Sequence, residues 1–243
     1  DVDIRKSVER VKDADIVIFA SGISPSLEGE EMGVNLPGFK KGDRTDIELP
    51  AVQRELIDAL HRAGKKIILV NCSGSPIGLE PETQKCEAIL QAWYPGQQGG
   101  KAVAEVLFGD YNPAGKLPVT FYRNVSQLPD FEDYNMTGRT YRYMQDVPLF
   151  PFGYGLSYTT FGYGKTVLDK NELTAGQSLK LTVPVTNTGK RNGEEVVQVY
   201  LRKQGDAEGP IKTLRAFKRV SIPAGKTVNV EFDLKDKELE WWD

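Results

Sequence analysis

At 243 residues the chain has room for two modest domains or one large one. Apolar residues make up 40% and charged residues 27%, a balance that argues against disorder. A net charge of −3, with Lys and Arg spread along the sequence, gives no electrostatic drive toward nucleic acid or an anionic membrane.

The first half alternates helix and strand. Ile4, Val8 and Val11 recur at helical spacing over residues 4–13, and Asp15 to Ala20 is a short apolar run of the kind buried on both faces of a parallel sheet. Residues 50–63 read as a helix with Pro50 in its first turn and Val52, Leu56, Ile57 and Leu60 on one face, ended by Gly64. Lys66 to Val70 is the next buried strand, Ala88 to Trp93 a third, and residues 98–108 a further helix. This order predicts an α/β fold with an open, mostly parallel sheet. Residues 110–165 are rich in Pro, Gly and Tyr, too aromatic for a flexible linker, and read as ordered coil packed across a domain junction. From Leu179 the period changes to two: Leu179, Leu181, Val183 and Val185 alternate with polar residues, as do Val197, Val199 and Leu201, and later Val228, Val230, Phe232 and Leu234. Turn signals at Asn192-Gly193 and Pro223-Ala224-Gly225 separate these runs, which predicts a small antiparallel β-sandwich.

No apolar run reaches the roughly 18–20 residues that would span a bilayer. Cys72 and Cys86 are too few for a disulfide framework or a zinc site and read as buried thiols. His61, the single histidine, has no Ser or Cys nucleophile motif nearby, which argues against Ser-His hydrolysis.

Open α/β sheets bind ligands beyond the carboxyl ends of their strands. The segment after the first strand, from about Ser21 to Leu49, is far longer than a usual βα connection. It carries Glu28, Glu30 and Glu31, then Asp43-Arg44. Three carboxylates in four positions repel one another, so at least one is expected to have a raised pKa where water is excluded. A carboxyl kept protonated near neutral pH is what a glycosidase uses to protonate a leaving oxygen. Arg44 is placed to orient a neighbouring carboxylate, with Asp43 to hold it. A solvated acidic loop remains the plain alternative, and cation binding a third. Ser73 to Pro76 follows the second strand and is a candidate lining of the same crevice; Trp93 and Tyr94 suit either core packing or stacking on a sugar ring.

Four segments together resemble glycoside hydrolase family 3, the β-glucosidase and β-xylosidase family. Trp93 to Gly100, followed by Ala102 to Leu107 and Gly109, is similar to its "YPGQxGG…A…LxG" segment; Asn112 to Thr120 to "NPxGKLPxT"; and Phe150 to Phe161 to "FPFGxGLSYTxF". The tail, including Val183 to Gly189 and Glu194 to Tyr200, resembles the fibronectin type III-like domain that follows in many members. The resemblance implies an open, mostly parallel α/β sandwich domain over residues 1–122, an ordered aromatic connection over 123–164, and an all-β fibronectin III-like sandwich over 165–243. It also implies a retaining exo-acting mechanism, with an Asp nucleophile on an N-terminal (β/α)8 barrel and a Glu acid/base on the α/β domain. The family's Gly-Glu-Gly context upstream of Asp-Arg matches Gly29-Glu30 best, which makes Glu30 the expected general acid/base, Glu31 the second candidate and Glu28 the third. Glu31 stands where the family often has Gly, and the gap to Asp43-Arg44 is longer than in many members.

The expected substrate is an oligosaccharide or other β-glycoside, with xylose and glucose the leading sugars, and the expected partner is the barrel of the same protein. No cofactor and no metal are implied, nor any nucleic-acid partner. The family places such proteins in the periplasm or outside the cell. With no barrel before residue 1, no first strand of the α/β domain, and a tail ending at Glu240-Trp241-Trp242-Asp243, the chain is expected to be incomplete at both ends and inactive alone. The rivals are a non-catalytic carbohydrate-binding or scaffold protein with the same two domains, and a generic α/β ligand-binding domain.

Overall fold

The computed structural model describes residues 3–28 and 33–241. The chain divides into two compact units: Asp1–Val103, Val119–Gly138 and Gln145–Pro151 form the first, and Ala104–Pro118, Arg139–Met144 and Phe152–Asp243 the second.

In the first unit, α1 (Ile4–Arg10) is capped by Asp3, whose carboxylate accepts from the Lys6 amide at 3.0 Å. Next come β1 (Ile16–Gly22), the short pair β2 (Phe39–Lys40) and β3 (Asp43–Arg44), α2 (Ala51–Arg62), β4 (Lys66–Cys72), α3 (Glu80–Thr83), β5 (Ala88–Gln91) and α4 (Gly99–Phe108), the last of which runs on into the second unit. Strands β1, β4 and β5 form a parallel sheet in that order, with Ser21 opposite Asn71 and Asn71 opposite Gln91. The expected α/β domain is therefore present. Ile57 and Leu60 of α2 pack with Ile67 and Leu69 of β4, and with Ile23, Leu49, Ile77 and Leu79 from the connections.

The expectation that the first strand is buried on both faces needs correcting. That burial holds for β4, which has a strand on each side. β1 lies at the edge, and only Val17 and Phe19 turn toward the core, leaving Ile16 52% and Ile18 50% exposed. Beneath the sheet's connections Glu82, with no exposed surface, receives Arg54 Nε at 2.8 Å and Nη2 at 3.0 Å; Arg54 Nη1 reaches Glu48 at 2.6 Å. The fork-shaped guanidinium thereby neutralises a fully buried carboxylate.

The second unit contains α5 (Thr140–Tyr143), β6 (Phe161–Tyr163), β7 (Val167–Leu168), β8 (Leu179–Asn187), β9 (Gly193–Leu201), β10 (Thr213–Ile222), β11 (Thr227–Leu234) and α6 (Asp236–Leu239). β11, β8 and β6 form one antiparallel sheet, with β7 also on β8; β10 and β9 form the other. The period-two residues face inward as expected, Leu181, Val183 and Val185 packing with Val197, Ile222, Val230, Phe232 and Leu234. Asn187 closes one corner. Its amide donates to the carbonyls of Arg191 (2.8 Å) and Ile222 (2.9 Å), while its oxygen accepts from Thr159 Oγ1 (2.7 Å) and the Gly189 amide (3.1 Å). Every polar atom of this buried side chain is thus satisfied.

Candidate functional site

The carboxyl ends of β1, β4 and β5 release three connections on one rim of the sheet. A buried polar row underlies that rim. Asn71 Nδ2 donates to Gln91 Oε1 at 2.6 Å and to Ser73 Oγ at 3.2 Å, and Ser73 Oγ donates to the Ser75 carbonyl at 2.8 Å. These bonds fix the turn after β4 and the end of β5. At the end of β1, Gly22 has φ +124°, and a Cβ there would meet the Cys72 carbonyl oxygen at 1.8 Å, so glycine alone fits. The Gln53 side chain brackets the same residue, accepting from its amide at 3.0 Å and donating to its carbonyl at 2.8 Å.

The chain then rises through a single turn, with the Leu27 and Glu28 amides both donating to the Ser24 carbonyl, to reach Glu28. The Glu28 carboxylate accepts from the Gly74 amide at 2.7 Å and the Ser75 amide at 3.2 Å, and from the hydroxyls of Ser75 and Tyr94. Arg44 Nη1 lies 3.9 Å away, both side chains being largely buried. Burial pushes the Glu28 carboxyl up, but the hydroxyls of Ser75 and Tyr94, the Gly74 amide and the Arg44 charge together outweigh it, and its pKa lies below the ordinary 4.5. The raised pKa expected of a carboxyl in this cluster is thus not that of Glu28. Tyr94 moves the opposite way, to about 12, through burial and its bond to Glu28.

Two local devices make this arrangement possible. Trp93, two residues beyond the end of β5, holds φ +57°, a left-handed conformation that is costly for a bulky side chain. Its indole is fixed edge-on to Phe121, with centroids 6.1 Å apart, and the reversal carries Tyr94 toward Glu28. Gly74 provides the space: a Cβ would lie 2.6 Å from the Tyr94 ring and 2.9 Å from Glu28 Oε2.

The hairpin of β2 and β3 turns through Lys41 and Gly42, both at positive φ, and presents Arg44. Arg44 donates to the carbonyls of Asp46 (3.1 Å) and Glu48 (3.3 Å) and to Ser75 Oγ (3.1 Å), bonds that take the place expected of Asp43. Arg44 therefore does stand beside a carboxylate of the acidic loop, as its sequence position suggests.

Of the predicted site residues, Glu28 lies in this cluster, whereas Glu30 and Glu31 lie outside the described residues. The turn Ser73 to Pro76 contributes to the cluster as donors to Glu28. Tyr94 does so through its hydroxyl, a role that sequence reasoning missed in weighing only its aromatic face. Among the described residues no group of His, Cys, Asp or Glu is placed to hold a metal ion, and no helix is long and apolar enough to cross a membrane.

Comparison with known proteins places this arrangement. Residues 1–158 match the glycosyl hydrolase family 3 C-terminal domain, and residues 195–243 a fibronectin type III-like domain. A xylan 1,4-β-xylosidase of Xylanibacter ruminicola is 58% identical over 242 residues, which cover 100% of this chain and 28% of that protein. A periplasmic β-glucosidase of Salmonella typhimurium is 38% identical across 98% of the chain and 32% of its own length. Among solved structures, a β-glucosidase of Erythrobacter marinus superposes with a TM-score of 0.86 at 40% identity, covering 99% of this chain and 32% of the other. The chain spans about a third of the length of these relatives. It belongs to glycoside hydrolase family 3, as an α/β C-terminal domain followed by a fibronectin type III-like β domain.

Proposed function

We propose that this chain is the C-terminal part of a retaining exo-acting β-glycosidase, with Glu30 as its general acid/base and the nucleophile on an N-terminal barrel of the same protein. The observation that carries the reading is Glu28 of the long segment after β1, held at the sheet's carboxyl rim beside Arg44 and Tyr94, in a chain that belongs to a glycosidase family along most of its length. In the first step Glu30 gives its proton to the departing glycosidic oxygen while the nucleophile attacks the anomeric carbon. In the second Glu30 takes a proton from the water that attacks the glycosyl-enzyme bond.

The surroundings of Glu28 support assigning this role to a neighbour. A general acid must hold a proton at working pH, whereas Glu28 is surrounded by donors that favour its ionised form. Glu31 stands as the second candidate. The division into residues 1–122, 123–164 and 165–243 belongs to the same reading. β-Xylosides are the first substrates to test, since the relative at 58% identity is a xylosidase, and β-glucosides the second. A periplasmic or secreted location is proposed with them, on the strength of the periplasmic relative.

The test is release of nitrophenol from aryl β-xyloside and β-glucoside by the 243-residue chain and by the same chain joined to its upstream barrel. Turnover only in the joined protein is the expected result. Turnover by the chain alone would require a second catalytic carboxylate within it, and sugar binding without turnover by either would favour a carbohydrate-binding protein.

A further inference from the structure

The geometry points to Glu28 as the positioning residue of the acid/base loop, a carboxylate that keys the loop after β1 into the connections after β4 and β5 at once. The assignment rests on the function proposed above. An acidic side chain two positions from a catalytic carboxyl is a liability if free, because its charge competes for the same proton and the same space. Here it is fully engaged: backbone and hydroxyl donors from Gly74, Ser75 and Tyr94 surround it, and Arg44 balances its charge.

The site is also built for a carboxylate at a cost elsewhere. Trp93 accepts a left-handed backbone that brings Tyr94 to Glu28, and a side chain at residue 74 would displace either the ring or the carboxylate. Local strain and a required glycine converging on one side chain indicate that its position matters. A general acid must sit within hydrogen-bond reach of the leaving oxygen, and a displacement of about 1 Å can cost about 100-fold in rate. Anchoring Glu28, two positions before Glu30 in the sequence, restrains the chain that leads into the proposed acid.

Leaving-group dependence separates positioning from mere stability. Poor leaving groups need protonation and good ones do not, so loss of acid positioning slows phenyl β-glycosides more than 2,4-dinitrophenyl β-glycosides, whereas a loss of folded protein lowers both alike. The measurement is kcat/KM for both substrates in the barrel-containing protein, for wild type, Glu28→Gln, Tyr94→Phe and Glu30→Ala. We expect Glu28→Gln to lose about tenfold more on the phenyl than on the dinitrophenyl substrate, Tyr94→Phe about threefold more, and Glu30→Ala the most. Equal losses on both substrates in Glu28→Gln and Tyr94→Phe would overturn the positioning role. A strong dependence in Glu28→Gln with none in Glu30→Ala would make Glu28 itself the acid and overturn both readings. No turnover by the wild type would overturn the proposed function, and this role with it. Should Glu28→Gln not fold, the Tyr94→Phe ratio decides.

Discussion

Glu28 and Gly74 stand 46 positions apart, and the Gly74 amide donates to the Glu28 carboxylate at 2.7 Å with no side chain between them. That contact joins the loop after β1 to the turn after β4. It depends on residue 74 lacking a Cβ, which would fall 2.6 Å from the Tyr94 ring. Gly74→Ala therefore overpacks a filled site, and a destabilisation of about 1–3 kcal/mol in urea unfolding is expected. A variant with wild-type stability would mean that Tyr94 moves aside freely.

The same cluster sets a pH dependence. The Glu28 carboxyl lies below 4.5 in the folded chain, so as pH falls the unfolded chain takes up the proton first. The stability Glu28 contributes is complete above its unfolded pKa and is lost as pH drops through the folded value. Tyr94 has the opposite sign: raised from 10 to about 12, it contributes below its unfolded value and loses that contribution as pH rises through the folded one. Urea midpoints of wild type and Glu28→Gln should differ by a constant amount down to about pH 5.5 and converge at lower pH. A gap unchanged down to about pH 3 would contradict this linkage.

Arg54 is the counter-charge of a carboxylate with no access to water. Arg54→Ala leaves Glu82 buried and unpaired, and breaking such a pair costs about 3–5 kcal/mol. Replacing both residues by Leu should recover much of that loss. Equilibrium unfolding measures both, and a cost below about 1 kcal/mol for Arg54→Ala would show that water reaches Glu82.

In the second unit Asn187 both donates and accepts, with two bonds of each kind. Asn187→Ala orphans several buried groups at about 1–3 kcal/mol each, and we expect a total of about 3 kcal/mol after relaxation. Asn187→Asp should be comparably damaging, because an ionised carboxylate cannot donate to the carbonyls of Arg191 and Ile222. Wild-type melting of the Asp variant would contradict these hydrogen-bond directions.

Much of the fold was legible in the sequence, and the reason is physical. The α/β order and the period-two tail follow from burial, which leaves its period in the residues: Leu181, Val183 and Val185 alternate because one face of β8 packs on the core. β10 was not legible. Arg215, Lys218 and Arg219 interrupt its apolar positions, and the register shifts between Leu214 and Ala216. The third strand was read to Trp93 but ends at Gln91, since a left-handed residue carries no signature in its type. In the site, the acidic loop and Arg44 were visible as composition. The donors to Glu28 were not, because Gly74, Ser75 and Tyr94 come from other connections and only the sheet brings them together. Glu82 was missed likewise: nothing in Pro81-Glu82-Thr83 marks it as buried opposite an arginine 28 residues away.

Within the proposed function, the central assignment is Glu30 as the acid/base of a retaining glycosidase. The direct test is Glu30→Ala in the barrel-containing protein, assayed on a 2,4-dinitrophenyl β-glycoside with and without azide. With no base to activate water, the glycosyl-enzyme should accumulate, and azide, which needs no base, should raise turnover about tenfold or more and yield a β-glycosyl azide. Wild-type activity without azide effects, or an α-glycosyl azide product, would contradict that role; the α product would make Glu30 the nucleophile instead.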